Sequence, residues 1–328
     1  MDTTTVLIFD RNAGWYAEQL GRLCPGYRFV TAASHEKAMR LAGEAEILIA
    51  LAPLIRPELV AAMPKLQWIQ ALTAGIDNLV AMAELPPEVT LTNCSGFHGP
   101  QMSELALLLM LSLARDFPAM LANQQAADWQ RWPQPLLAGK TACLVGLGSI
   151  AETLAKRCAA MDMRLTGVSN GRSRVNGFDR IHKRDEIASA ARDADFLIVI
   201  VPYSSETHHI IDAETLDAMK RSAFLINISR GGCVDERALL SALDSGKLAG
   251  AGLDVFETEP LPAKSPLWHH PKIIVTPHIG GMADIYHQQA LPIIAENLTC
   301  YRRQGADGLA GKFDRQAASQ SKPERIRP

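Results

Sequence analysis

"LVGLGSIAETLA", residues 144–155, is an apolar run that breaks at Gly146-Leu147-Gly148 and resumes with helical spacing. Two glycines at the mouth of a helix permit two readings. In one, the backbone approaches a phosphate closely, and the helix N-terminus supplies free N–H groups and the positive end of its dipole. In the other, the turn is an ordinary tight connection. Gly146-Leu147-Gly148-Ser149-Ile150-Ala151 matches G-x-G-x-x-G/A, with Ala151 as the small residue that lets helix and strand pack closely. An apolar strand, 142–145, precedes it, and a helix opens near Ser149. Strand, turn and helix in that order favour the phosphate seat.

The following strand ends in Val168-Ser169-Asn170-Gly171-Arg172. An NAD-binding unit places an acid on the ribose hydroxyls here, about 20 residues beyond its glycines. This segment has none. A carboxylate would repel a 2′-phosphate, whereas Ser169, Asn170 and Arg172 can hydrogen-bond to one, Arg172 with charge assistance. The expectation is a seat that prefers NADP(H) and can take NAD(H). A solvated polar turn is the competing reading.

Outward from this turn, short apolar runs alternate with helical patterns. Strands are predicted at 6–9, 47–50, 68–71, 141–145, 164–168, 196–201, 223–228, 250–255 and 273–275; helices at 15–23, 150–161, 235–245 and 283–301, with a connector from Pro100. Strands apolar on both faces and separated by helices point to parallel sheets covered on each side. The fold class is therefore α/β, and the glycine turn arrives too late in the chain to open it. The preceding segments must form a separate unit, to which the 283–301 helix returns. The predicted domains are 1–99, the first part of a substrate domain; 100–283, the nucleotide domain; and 284–328, the return helix and a polar tail, partly disordered.

The 328 residues are 48% hydrophobic with a net charge of −2. No basic surplus points to nucleic acid, and no basic amphipathic segment points to a membrane. The start, "MDTTTVLIFD", has no leader pattern, and the apolar stripe 105–114 is too short to span a bilayer. That stripe reads as core or as a dimer contact. Six scattered cysteines without metal-ligand spacing imply no metal site, no disulfide framework and a cytoplasmic location.

Later segments sharpen the reading. "NISRGGCVDE" (227–236), "GAGLDVFETEPLP" (250–262) and "TPHIGG" (276–281), with "TAGID" (73–77), "VPYSSET" (201–207) and "SPLW" (265–268), resemble the D-isomer-specific 2-hydroxyacid dehydrogenases. The resemblance runs from about Trp68 to Asn297 and is nearest the glyoxylate/hydroxypyruvate reductase type. It implies two doubly wound parallel-sheet domains, a Rossmann-type nucleotide domain inserted in a flavodoxin-like substrate domain, with the active site in the cleft between them. It also implies a homodimer acting on a small 2-oxo acid.

Carried over by position, the catalytic set is Arg230, Glu259 and His278, and the substrate contacts are Ala74, Gly75, Arg230 and His278. The implied cofactor contacts are Gly146, Leu147, Gly148, Ser149, Ile150, Ser169, Asn170, Arg172, Val201, Pro202, Thr207, Ile228, Ser229, Asp254, His278 and Gly280. The residue types suit the chemistry. An arginine offers a permanently charged planar fork to a carboxylate, a histidine switches charge near neutral pH, and a glutamate beside it favours the imidazolium. Taken singly, Arg230 is a turn residue, Glu259 an exposed loop acid and His278 a satisfied loop histidine. Trp129 and Trp132 edge a pocket or merely pack. A nucleotide-sensing corepressor or a phosphite dehydrogenase on the same scaffold are the alternatives. The short stretch after residue 301 sets the expectation that the regulatory domain of many phosphoglycerate dehydrogenases is absent, and formate dehydrogenases pair their histidine with glutamine instead.

Overall fold

The computed structural model describes residues 3–313. Among these residues, twelve strands form two sheets, every strand pair parallel. The first contains β1 (Thr5–Phe9), β2 (Arg28–Ala32), β3 (Ile47–Ala50), β4 (Trp68–Ala71) and β5 (Thr90–Thr92), in the order β2-β1-β3-β4-β5. The second contains β6 (Thr141–Val145), β7 (Arg164–Val168), β8 (Arg180–His182), β9 (Phe196–Val199), β10 (Phe224–Asn227), β11 (Gly250–Leu253) and β12 (Ile273–Val275). Its order is β12-β11-β10-β9-β6-β7-β8. These are the flavodoxin-like and the classic dinucleotide-binding orders, the latter with one strand added.

The chain divides into two compact units, one of Met1–Phe97 with Ala283–Pro328, the other of His98–Met282. In the first, alternate residues of each strand face opposite layers. Val6, Ile8, Ile47, Ile49 and Trp68 pack with Ala290, Ile294 and Leu298 of the helix Tyr286–Gln304. Leu7, Phe9, Leu48, Ala50 and Ile69 face the other layer. A fully buried polar chain crosses this core: Asn297 Nδ2 and Thr92 Oγ1 each donate to Gln70 Oε1 at 2.8 Å, and Trp68 Nε1 donates to Thr92 Oγ1 at 2.8 Å. Buried polar groups joined in this way specify one register of the helix on the sheet.

In the second unit, Ala142 and Leu144 of β6 pack on the helices Gly99–Ala114 and Ser149–Ala159, and Cys143 and Val145 face the opposite layer. Burial pushes the Cys143 and Cys158 thiols up to about 11 and about 12, so both act as packing groups.

Strands β2, β5 and β8 were not among those expected from sequence. Each is short or polar: β8 is only Arg180-Ile181-His182, and β2 is half exposed along most of its length. The tail also departs from expectation. Leu309 is buried, Lys312 bridges Thr92, and Phe313 N–H donates to the Leu91 carbonyl, so residues 305–313 close the free edge of β5. Residues 314–328, the rest of the tail expected to be disordered, lie outside the described residues. Among the described residues no single helix is long and apolar enough to cross a membrane.

Candidate active site

Strand order in the second sheet reverses between β6 and β9, and the loops after these two strands part there. Such a switch point is where parallel sheets take nucleotides. Gly146 follows β6 with φ +100°, and a Cβ on it would sit 2.9 Å from Val201 N and 3.0 Å from Ile200 C. Only glycine fits, by backbone conformation and by space. Gly148 is the opposite case. Its φ is −93°, and a Cβ would meet no protein atom within 4 Å. Neither strain nor packing calls for glycine there, whereas close approach of a phosphate does. Gly148, not Ser149, is the N-cap, and it makes no side-chain cap hydrogen bond. The first-turn N–H groups of the helix Ser149–Ala159 are therefore not taken by a cap side chain. These residues fit the pyrophosphate of a dinucleotide.

A groove runs from this turn along Val168–Gly171 to Val201, Pro202, Ile210 and Arg184. Two of the expected cofactor contacts, Arg172 and Thr207, are not among the residues that line this groove. Arg172 is engaged beside it: its Nη1 donates to the Leu147 carbonyl at 3.0 Å and pairs with Glu152 at 2.5 Å. Thr207 is 1% exposed, and its hydroxyl donates to the Pro202 carbonyl and accepts from Ser204 N–H, both at 2.7 Å. It shapes the loop and offers nothing to the groove. Ser169 and Asn170 do line the groove, as do Gly146, Leu147, Val201 and Pro202. Arg184, which sequence reasoning missed, lines it too.

Arg230, Glu259 and His278 come from three separate loops. Arg230 follows β10, where Asn227 Nδ2 donates to its carbonyl at 3.0 Å and its own Nη1 donates to the Ser229 carbonyl at 2.6 Å. Gly231 comes next. A Cβ there would lie 1.8 Å from Phe256 C, so the Arg230 loop rests directly on the backbone leading to Glu259. Glu259 Oε1 accepts from Phe256 N–H at 3.0 Å, and its Oε2 meets His278 Nδ1 at 2.6 Å. Burial alone would raise the Glu259 carboxyl. The His278 hydrogen bond, the Phe256 N–H and the charges of His278 and Arg230 outweigh that and hold it below its usual range. Glu259 is thus a carboxylate at neutral pH, fixing one nitrogen of the ring.

His278 has φ +51°, a left-handed conformation that costs a non-glycine residue free energy and must be held by its surroundings. Asp254 does the holding. It is 1% exposed; Oδ1 accepts from Thr276 Oγ1 at 2.6 Å and Ile279 N–H at 3.0 Å, and Oδ2 accepts from Gly280 N–H at 2.9 Å. Its backbone carbonyl accepts from His278 N–H at 2.8 Å. Gly280 lets the loop turn inward, since a Cβ would sit 2.6 Å from Leu105 Cδ2. Sequence reasoning placed Asp254 only at the cofactor and had no signal for this positioning role. Nor had it one for Glu236, whose Oε1 accepts from Glu257 N–H at 2.8 Å and braces the Glu259 loop.

Because the Gly231 contact is with backbone, Gly231→Ala should cost more than the ~1–3 kcal/mol of ordinary overpacking. Thermal unfolding and activity should fall together, and a normally stable, active Gly231→Ala protein would contradict the stacked loops.

In the first unit, Thr73 Oγ1 donates to the Gly75 carbonyl and Asn93 Nδ2 to the Ala74 carbonyl, each at 2.7 Å. Among the described residues, the N–H groups of Ala74 and Gly75 have no acceptor. They are donors of the kind a carboxylate takes.

A doubly wound parallel sheet with a glycine turn at its switch point defines a dinucleotide-binding α/β protein. Residues 107–280 match the family model "D-isomer specific 2-hydroxyacid dehydrogenase, NAD binding domain". D-3-phosphoglycerate dehydrogenase of Mycobacterium tuberculosis is 32% identical over 320 residues, which cover 95% of this chain and 58% of that protein. The chain thus spans little more than half the length of that relative. A D-isomer specific 2-hydroxyacid dehydrogenase family protein of Aeromonas salmonicida is similar in structure, with TM-score 0.88 and 35% identity, covering 96% of this chain and 100% of that one. The NADPH-dependent glyoxylate/hydroxypyruvate reductase of Sinorhizobium meliloti, in complex with NADP and sulfate, has TM-score 0.80 and 25% identity, covering 96% and 99%. The chain belongs to the D-isomer specific 2-hydroxyacid dehydrogenase family.

Proposed function

We propose that the protein is an NADP(H)-preferring reductase of a small 2-oxo acid, of the glyoxylate or hydroxypyruvate type. The unit of residues 98–282 would be its nucleotide domain and the other unit its substrate domain. The observation that carries this reading is the 2.6 Å contact between His278 and Glu259, with Arg230 close enough to lower the Glu259 carboxyl. Family membership and the similarity to the S. meliloti reductase support it.

Each residue has a defined task. The Arg230 fork pairs with the substrate carboxylate and steadies the charge that grows on the carbonyl oxygen. Glu259 accepts from His278 Nδ1–H, which orients the ring and leaves its other nitrogen for the substrate. His278 then gives a proton from its other nitrogen to the alkoxide oxygen, leaving a 2-hydroxy acid. NADPH, when bound, supplies the hydride. Gly148 and the helix behind it seat the pyrophosphate.

The test is a steady-state screen of 2-oxo acids with NADH and with NADPH. The expected result is turnover of glyoxylate or hydroxypyruvate, with kcat/KM at least about tenfold higher for NADPH, the lower bound for one charge-assisted contact. Equal or better use of NADH would reject the cofactor preference, and inertness toward every 2-oxo acid would reject the activity.

The reading extends to a homodimer. The helix Phe117–Ala126 has no buried residue and exposes Phe117 and Leu121, while Leu108 and Leu111 are exposed nearby in sequence and Trp129 is 87% exposed. Trp129 therefore does not pack within its own chain. A ten-residue helix is marginal in water without a partner surface, and a second copy provides one. Sedimentation should give a dimer, and Leu121→Arg should give monomers; a monomeric wild type would reject the assignment.

A further inference from the structure

We infer that Arg184 reads the 2′-phosphate of NADP(H), and that Glu206 holds this cation across the groove until the phosphate takes it. The inference rests on the NADP(H) reading above and names the residues that make the choice.

Geometry separates the arginines. Arg172 carries the right charge at the expected position, but it is turned back onto Leu147 and Glu152. Arg184 follows β8, one strand further out, and lines the groove beside Ser169, Asn170 and Gly171. Its backbone N–H donates to Asn170 Oδ1 at 2.8 Å, which ties the loop after β8 to the loop after β7. Its Nη1 pairs with Glu206 Oε2 at 2.5 Å, and Glu206 stands on the loop after β9. In the sheet, β6 and β7 lie between β9 and β8. The ion pair therefore spans the carboxyl ends of β6 and β7, where the groove lies.

Charge then decides what the pair does. The Glu206 side chain is 74% exposed, and an ion pair with so exposed a partner is weak. A phosphate monoester carries more charge than a carboxylate and matches the guanidinium fork, so it displaces Glu206. Ser169 Oγ accepts from Arg172 N–H at 3.1 Å, which leaves the hydroxyl proton to donate to the same phosphate. No acid lies between Ser169 and Arg174 to oppose it. A nucleotide without the 2′-phosphate has nothing to exchange for Glu206, and the pair stays closed.

The experiment is calorimetric binding of 2′,5′-ADP and of 5′-AMP to the full chain, which reads the groove without turnover. Wild type should bind 2′,5′-ADP more tightly. Arg184→Ala should lose about 10- to 150-fold toward 2′,5′-ADP, the range for a charge-assisted contact. It should keep its 5′-AMP affinity, which also shows that the variant is folded. Glu206→Gln should gain affinity for 2′,5′-ADP alone, and Arg172→Ala should leave the ratio of the two affinities unchanged. The inference is overturned if Arg184→Ala preserves that ratio, if Arg172→Ala or Arg174→Ala abolishes it, or if Glu206→Gln weakens 2′,5′-ADP. Wild type that binds 5′-AMP and favours 2′,5′-ADP no further overturns the inference but leaves the nucleotide groove standing. Failure to bind either nucleotide overturns both.

Discussion

His278→Ala should lower kcat for 2-oxo acid reduction by about 100- to 10,000-fold, the usual worth of a positioned general acid. Affinity for NADPH, read by cofactor fluorescence, should hold, because the groove at Gly146 and Val201 is built without the imidazole. The pH profile carries the second half of this prediction. The Glu259 carboxyl is held below its usual value, so the pair is fully formed above the ordinary carboxylate range of about 4.3 and is lost as pH falls through the lower folded value. Near wild-type turnover in His278→Ala would sink the assignment.

Arg230→Ala should raise KM for the 2-oxo acid and lower kcat by about 100- to 1,000-fold, as loss of a donor to a developing oxyanion does. Arg230→Lys should recover little of this, because an ammonium is a point charge and cannot present two parallel N–H groups. NADPH affinity should change little in either variant. If cofactor binding collapses while KM stays put, Arg230 belongs to the nucleotide groove or to the loop's structure and not to the substrate.

Much of the sheet was legible because its strands are buried on both faces and read as continuous apolar runs. Ile47–Ala50 and Thr141–Val145 are buried at every residue. The same logic explains the misses. Arg180–His182 pairs along only one edge and carries two polar residues in three, and the helix Phe117–Ala126 buries nothing, so neither writes a periodic pattern. At the site, residue types and positions were readable, but partners were not. The choice between Arg172 and Arg184 turns on Glu152 and Glu206, which lie 20 and 22 residues away and meet them only through the fold. The role of Asp254 was hidden for the same reason: its carboxylate closes on Thr276, Ile279 and Gly280, more than 20 residues later.

The first unit is written in two pieces, and protein synthesis reads them far apart. Val6, Ile8, Ile47, Ile49 and Trp68 leave the ribosome early, yet part of the apolar layer that covers them, Ala290, Ile294 and Leu298, comes after the whole second unit. At about 5–20 residues per second, roughly 10–40 s pass between the end of the first piece and the arrival of that helix. By the end of this interval the unit encoded in the middle has every strand and helix it needs, while the one encoded first has this face of its sheet covered only in part, by Ala13, Tyr16 and Leu20. The nascent chain thus matures from the inside out, and the early strands are the ones a chaperone has reason to hold.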